Sequence, residues 1–179
     1  MTHELSIWTV GHSTLSIEDF ILKLKSFDIE LLIDVRSYPG SRRYPHFNKN
    51  NLSESLAEVA IHYEHLPELG GRRRARPDSL NMTWRNESFR GYADYMETSE
   101  FHEGIERLLG IAKKQRVAIM CSEAVWWRCH RSMISDYLKV KGIDVIHIMG
   151  EGKSERHPFT AAARVVNGEL SYRGVLNEL

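Results

Sequence analysis

At 179 residues, with 42% hydrophobic and 27% charged residues, the chain is long enough for one domain with a proper core and too short for two comfortable ones. Lys plus Arg and Asp plus Glu balance at 24 each, which argues against a strongly basic nucleic-acid binder. No window approaches the ~18 apolar residues that a membrane span needs. The first residues lack the basic start and apolar stretch of a signal peptide, and two cysteines cannot form a disulfide framework, so a cytoplasmic protein is expected.

Residues 5–10 (L-S-I-W-T-V) read as a short buried strand ended by Gly11-His12-Ser13. Ser16 stands as an N-cap with Asp19 three residues on, and Ile17, Phe20, Ile21, Leu24 and Phe27 repeat at helical spacing. The second apolar run, residues 29–35, closes a strand–helix–strand unit, which implies a parallel sheet. Residues 37–49 are loop, Leu52, Leu56, Val59 and Ala60 mark a short helix, and residues 61–66 read as an edge strand. Residues 70–86 form a long basic loop, and residues 89–112 are helical in two pieces broken near Thr98-Ser99. A strand at 116–120, a helix at 129–141 stopped by Gly142, and a strand at 144–149 follow. Asn167-Gly168 is a turn signal, which makes residues 163–172 a candidate C-terminal hairpin. The expected fold is a single α/β domain over residues 1–179, with a mostly parallel sheet flanked by helices.

In such sheets ligands bind outside the carboxyl ends of the strands. Three strands end in polar clusters: Gly11-His12-Ser13, Asp34-Val35-Arg36 and Cys121-Ser122-Glu123. Convergence of the three at one edge is the main physical reason to expect a site there. Both cysteines fall in V-A-I-M-C-S-E-A-V-W-W-R-C-H-R, where an apolar strand runs into Cys121 and Cys129-His130-Arg131 opens a helix. A helix N-terminus and nearby cations favour a thiolate and can hold an anion. The same residues also fit structural roles, with Asp34 and Arg36 as an ion pair and Cys121 as an inert buried residue. The spacing of Cys121, Cys129 and His130 does not suit a metal site, so no metal and no cofactor are expected.

The basic segment adds a second theme. Residues 70–90 hold six arginines against Asp78 and Glu87, with Arg72 and Arg73 among them, and Trp84, Phe89 and Tyr92 interleave or follow. Arginines beside aromatics suit phosphate contact with base stacking, although such a run is also commonly a solvated loop. Trp126-Trp127 reads either as core packing or as a stacking platform.

The segments T-V-G-H-S, D-V-R-S-Y-P-G-S-R-R-Y-P-H-F-N, H-L-P-E-L-G-G-R-R, F-R-G-Y-A-D-Y-M and C-S-E-A-V-W-W-R-C-H-R resemble, in order, the family called domain of unknown function 488. The likeness runs from Thr9 to about Pro158 and implies a compact α/β bacterial or archaeal protein without an established activity. A fainter likeness joins L-L-I-D-V-R and the Cys121 loop to rhodanese and cysteine-phosphatase folds. Here, however, six residues separate Cys121 from Arg128 and the loop holds no glycine, so a tight cradle of amides around the sulfur is not expected.

These readings make the chain an expected thiol-dependent transferase or hydrolase acting on a phosphate-bearing substrate, a nucleotide or nucleic acid, or on a sulfur compound. Cys121 is the expected nucleophile, Cys129 its support, and Glu123, His12 and His130 the groups for acid–base work. Asp34, Arg36, Arg42, Arg43, Arg72, Arg73, Arg128, Arg131 and Trp126 are the expected substrate-binding residues. The competing class is a non-catalytic nucleic-acid or nucleotide-binding module with structural cysteines. Sequence leaves the oligomeric state open.

Overall fold

Thr98 shows how local chemistry sets the elements of this fold. Its hydroxyl accepts the N–H of Phe101 and starts a helix, Ser99–Ala112, immediately after the helix Glu87–Tyr95 ends. Ser16 does the same for the helix Ile17–Ser26 by accepting the N–H of Asp19 at 3.1 Å. The computed structural model describes residues 4–174, so the extreme ends of the chain lie outside the described residues. In chain order the elements are β1 (Ser6–Gly11), α1 (Ile17–Ser26), β2 (Leu31–Asp34), α2 (Lys49–Ala57), β3 (His62–His65), α3 (Glu87–Tyr95), α4 (Ser99–Ala112), β4 (Val117–Cys121), α5 (Arg131–Val140), β5 (Asp144–Gly150), β6 (Lys153–Arg156), β7 (Arg164–Val166) and β8 (Glu169–Ser171).

Six strands form one sheet in the order β3-β2-β4-β1-β5-β6, parallel throughout except for β6, and β7 with β8 make a separate hairpin. The α/β class, the mostly parallel sheet and the C-terminal hairpin expected from sequence are all present. At the hairpin turn Asn167 and Gly168 both have positive φ, the conformation a two-residue turn of this hand requires. Strand β6 was not expected. It reads K-S-E-R and is exposed along its whole length, so it carries no apolar alternation that could have revealed it. Its place at the sheet edge explains that composition.

Period-two alternation splits the core into two layers. Ile7, Leu31, Ile33, Val117, Ile119, Cys121 and Val145 face one side, with Tyr92, Phe101, Leu108, Met133 and Ile134 packed on them from α3, α4 and α5. Trp8, Val10, Leu32, Ala118 and Met120 face the other, covered by Phe20 and Leu24 of α1 and Leu52 and Leu56 of α2. The connections from β1 and β4, which are neighbours, therefore leave on opposite faces: α1 follows one and α5 the other. Such a switch point opens a crevice at the carboxyl edge, between the loop after Gly11 and the loop after Cys121.

The two loops touch at Gly11. A Cβ on Gly11 would stand 1.7 Å from the carbonyl oxygen of Glu123 and 3.0 Å from the Arg131 guanidinium. His12 and Ser13 then donate their N–H groups to the carbonyls of Cys121 and Ser122, both at 3.0 Å, which extends the strand pairing into the crevice. Gly11→Ala must push the Glu123 loop away, and it is expected to cost about 3 kcal/mol, a fall of about 6–12 °C in a chain this long. Thermal unfolding checks this, and a melt unchanged within about 2 °C contradicts it.

Candidate functional site

The crevice is a cleft of about 670 Å³. His12 and Ser13 border it from the end of β1, Arg36 and Ser37 from the end of β2, Cys121 and Glu123 from β4, and Cys129 and His130 from the start of α5. Tyr38, Tyr44, Arg72, Ser88, Phe89 and Arg128 form its rim. Thus the three strand-end clusters meet at one edge. Gly71 closes the cleft from the basic loop: a Cβ there would come within 2.9 Å of His130 Nδ1, so only glycine lets that loop lie against the imidazole.

At the floor the two sulfurs stand 2.8 Å apart, and both cysteines are free and buried, 2% exposed for Cys121 and 6% for Cys129. Beneath them lies Arg131, 1% exposed. Its Nε donates to Cys121 Sγ at 2.9 Å, its NH1 to Thr9 Oγ1 at 3.0 Å, its NH2 to the Glu123 carbonyl at 2.9 Å, and its backbone N–H to Cys129 Sγ at 3.3 Å. None of these acceptors is a carboxylate. A guanidinium stays charged in proteins, so the sulfur pair is the nearest place for its counter-charge.

Burial and the neighbouring sulfur push the Cys121 thiol well above its ordinary range. Burial opposes ionisation of Cys129 too, but the Cys121 thiol, the Arg131 guanidinium and the Arg131 backbone N–H outweigh it, and Cys129 falls below its ordinary value. The pair therefore holds one negative charge most readily on Cys129, with the remaining proton on Cys121. His130 donates its Nε2–H to the Val35 carbonyl at 2.8 Å, which leaves Nδ1 as an acceptor 3.6 Å from Cys129 Sγ. Burial lowers the His130 pKa from its ordinary value, so the ring is a neutral base at rest.

Asp34 and Arg36 stand two positions apart, so a regular strand would carry them on one face. Strand β2 ends at Asp34, the chain turns, and the Arg36 guanidinium folds back to grip the fully buried carboxylate through Nε at 2.9 Å and NH2 at 2.8 Å. The Tyr63 hydroxyl donates to the same carboxylate, Arg36 NH2 also reaches the Phe47 carbonyl at 2.7 Å, and Arg36 NH1 lies 3.4 Å from His12 Nε2. His12 is stacked on Phe47 with ring centroids 4.3 Å apart and donates Nδ1–H to the Ser13 carbonyl at 2.9 Å. Burial, with Arg36 adding to it, pushes the His12 pKa down to about 4.

The remaining expected residues scatter. Arg128 and Arg72 reach the cleft rim, with Arg72 over the exposed Tyr38 ring at 5.6 Å. Arg42 and Arg43 lie exposed on the loop outside the cleft lining. Arg73 is spent on the protein: it stacks 3.6 Å over Tyr95 and donates to the carbonyls of Gly70 and Pro67. Arg76 pairs with Glu97 at 2.6 Å and Arg90 donates to the Trp84 carbonyl, which leaves Arg72, Arg74 and Arg85 exposed along the segment. Glu123 acts on the sulfurs through its carbonyl while its side chain is exposed. Trp126 is buried beneath the site, stacked flat on His147 at 4.6 Å, with Nε1 donating to Glu155 at 2.6 Å. Among the described residues no three His, Cys, Asp or Glu side chains are grouped as metal ligands would be.

Sequence reading missed four buried polar residues behind Arg131: Thr9, His147, His157 and Asp136. Thr9 and His147 are adjacent because β1 and β5 pair with Thr9 opposite His147. Polar residues inside apolar strands, such as Thr9 in I-W-T-V and His147 in V-I-H-I, were the available signal.

The architecture and the cleft define a parallel α/β protein with a paired-cysteine site at the carboxyl edge of its sheet. The family model described as domain of unknown function DUF488 matches residues 16–138, and the chain belongs to that family. The matched span holds Asp34, Arg36, Cys121, Cys129, His130 and Arg131, and stops short of His12 on one side and His147 on the other. Searches of curated proteins and of solved structures returned no match.

Two outcomes follow from these contacts. Asp34→Asn leaves the buried Arg36 without its carboxylate and is expected to cost about 3 kcal/mol. A urea titration checks this, and a loss below about 1 kcal/mol contradicts it. The second concerns acid. His12 and His147 are held neutral, with pKa values lowered from 6.5 to about 4 and about 2, while in the unfolded chain they titrate normally. Between those limits the unfolded state binds more protons, so their contribution to stability is intact above pH 6.5 and is lost as pH falls. Stability is expected to drop by roughly 1.4 kcal/mol per pH unit for each histidine below pH 6. Denaturant midpoints that stay level from pH 7.5 to 5 contradict this.

Proposed function

We propose that this protein is a thiol-dependent enzyme, a transferase or hydrolase, acting on a small anionic substrate held in the cleft, and that Cys129 is its nucleophile. One observation carries the reading: Cys129 Sγ faces a histidine acceptor whose other nitrogen is fixed by the Val35 carbonyl, and it sits beside a buried guanidinium. Nucleophile, base and orienting group are then in series. This turns the sequence expectation around, since Cys121 becomes the partner thiol that hydrogen-bonds the thiolate.

In the proposed reaction His130 takes the Cys129 proton at Nδ1. The thiolate attacks an electrophilic phosphorus or sulfur of the substrate, a new bond forms to Sγ, and the leaving group departs with the proton from His130. Water or an acceptor then gives its proton to His130, breaks the bond to Sγ and restores the thiolate. Arg72 and Arg128 at the cleft supply positive charge for the substrate anion, Arg36 is held in its ion pair with Asp34, and His12, neutral, adds no competing cation. The rim pair Tyr38 and Arg72 gives a stacking surface for a nucleotide base, which supports a nucleotide among the phosphate-bearing candidates. A long nucleic-acid track draws less support, because Arg73, Arg76 and Arg90 are engaged within the protein.

The test is iodoacetamide labelling from pH 5.5 to 9.5 with each thiol mapped by mass spectrometry, with and without inorganic phosphate. Cys129 is expected to label with a midpoint about one pH unit or more below the ordinary thiol value, ahead of Cys121, and phosphate is expected to slow it. Labelling of Cys121 first, or a Cys129 midpoint at 8.5 or above, overturns the assignment of the nucleophile. Labelling that phosphate leaves unchanged overturns the anion-binding part.

A further inference from the structure

Behind Arg131 a single file of hydrogen bonds crosses the interior. Thr9 Oγ1 receives Arg131 NH1 at 3.0 Å and stands 2.5 Å from His147 Nδ1. His147 Nε2 stands 2.8 Å from His157 Nδ1, and His157 Nε2 stands 2.8 Å from Asp136 Oδ1. Asp136 also accepts the N–H of Thr160 at 3.0 Å, the Thr160 hydroxyl at 2.6 Å and the Tyr172 hydroxyl at 2.7 Å. Thr9, His147, His157 and Asp136 are all buried.

The donors can be ordered from chemistry alone. Arginine only donates, so the Thr9 hydroxyl has its own proton free for His147 Nδ1. His147 must then carry its proton on Nε2 and give it to His157 Nδ1, and His157 must carry its proton on Nε2 and give it to Asp136. Every link points the same way, from the guanidinium to the carboxylate. Bonds aligned head to tail polarise one another, so the carboxylate end of the file strengthens Thr9 Oγ1 as the acceptor that holds the Arg131 guanidinium in place. The Trp126 ring, lying flat on His147 at an interplanar angle of 6°, fixes the plane of the middle member.

This file is expensive to bury unless it does something, since an apolar interior would serve the fold. We propose that Thr9, His147, His157 and Asp136 form a positioning network that aims the Arg131 guanidinium at the Cys121–Cys129 pair and thereby sets how readily that pair ionises. None of the four touches the cleft, so they act through Arg131. The inference rests on the thiolate reading given above and deepens it.

Other charged and titratable groups also face the sulfurs and stay in place when the file is cut. His130 and Arg131 come from α5, and Tyr92 comes from α3 with its ring 5.0 Å from that of His130. Arg73 lies near His130 from the basic loop, and His12, Arg36, Arg72, Glu123 and Arg128 border the cleft above.

The experiment is the same pH profile of iodoacetamide labelling at Cys129, run on wild type, Thr9→Val and Thr9→Ser, with thermal melts alongside. Valine keeps the shape and removes the hydroxyl, whereas serine keeps the hydroxyl. Thr9→Val is expected to raise the Cys129 midpoint by about one pH unit, a roughly tenfold slower rate at pH 7, and Thr9→Ser to return it to the wild-type value. His157→Gln, which interrupts the file farther from the sulfurs, is expected to shift the midpoint in the same direction. A wild-type midpoint at 8.5 or above sinks the thiolate reading itself. A low wild-type midpoint that neither Thr9→Val nor His157→Gln moves sinks the network while leaving the thiolate standing. A Thr9→Val chain that does not fold leaves the decision to His157→Gln, and a loss of melting temperature with an unmoved midpoint assigns the file to structure alone.

Discussion

A guanidinium buried to 1% exposure with no carboxylate among its hydrogen-bond partners is the constraint around which this site is organised. Taking such a cation out of water costs several kcal/mol unless its protons are satisfied and its charge is balanced. The fold meets the first condition with Thr9, the Glu123 carbonyl and the sulfurs, and in the proposed reading loss of a proton from the cysteine pair meets the second. In that reading Arg131 favours the Cys129 thiolate formed when His130 takes the proton, and the thiolate in turn balances Arg131. Removing either leaves the other as an uncompensated buried group, which couples the chemistry of the cleft to the stability of the core beneath it.

Sheet topology decides where this can happen. β4 lies between β1 and β2 in the sheet, and its connection leaves toward α5 while theirs leave toward α1 and α2, so the loops after these strands part over one crevice. Period-two alternation then does the sorting. Thr9, Cys121 and His147 all project toward the α5 side, because they share a face with Ile7, Ile119 and Val145. The N-terminus of α5 arrives over that face, so Arg131 drops onto a polar patch within an otherwise apolar layer. Gly11 makes the approach possible, since any side chain there would occupy the place of the Glu123 carbonyl.

Above the sulfurs cations outnumber anions, with Glu123 as the carboxylate on the cleft border. Arg36, Arg72 and Arg128 border the cleft, while the histidines that share it are kept neutral by burial and by nearby cations. The fully buried Asp34 carboxylate balances Arg36 and holds its direction, which among the described residues leaves Arg72 and Arg128 as the unpaired cations of the rim. In the proposed reading, positive groups at the rim, neutral imidazoles and a thiolate at the floor suit an anion whose electrophilic centre reaches that floor.

The sequence determined what depends on neighbours along the chain. Helical spacing from Ile17 to Phe27, the caps at Ser16 and Thr98, the Asn167-Gly168 turn and the polar ends of three apolar strands are local signals, and each maps to an element of the fold. Their common edge was legible too, because parallel sheets place their loops by rule. Register and tertiary approach decided the rest. That Arg131 rather than Arg128 reaches the sulfurs depends on where α5 begins, and a 3₁₀ turn at Trp126–Arg128 shifts that start by two residues from Cys129. That Asp34 and Arg36 pair depends on the chain turning where β2 ends at Asp34. The file from Thr9 to Asp136 joins residues up to 138 positions apart, and no local pattern announces such a contact. Hydrogen bonds between distant strands exist only once the strands are paired, so only the folded chain holds them.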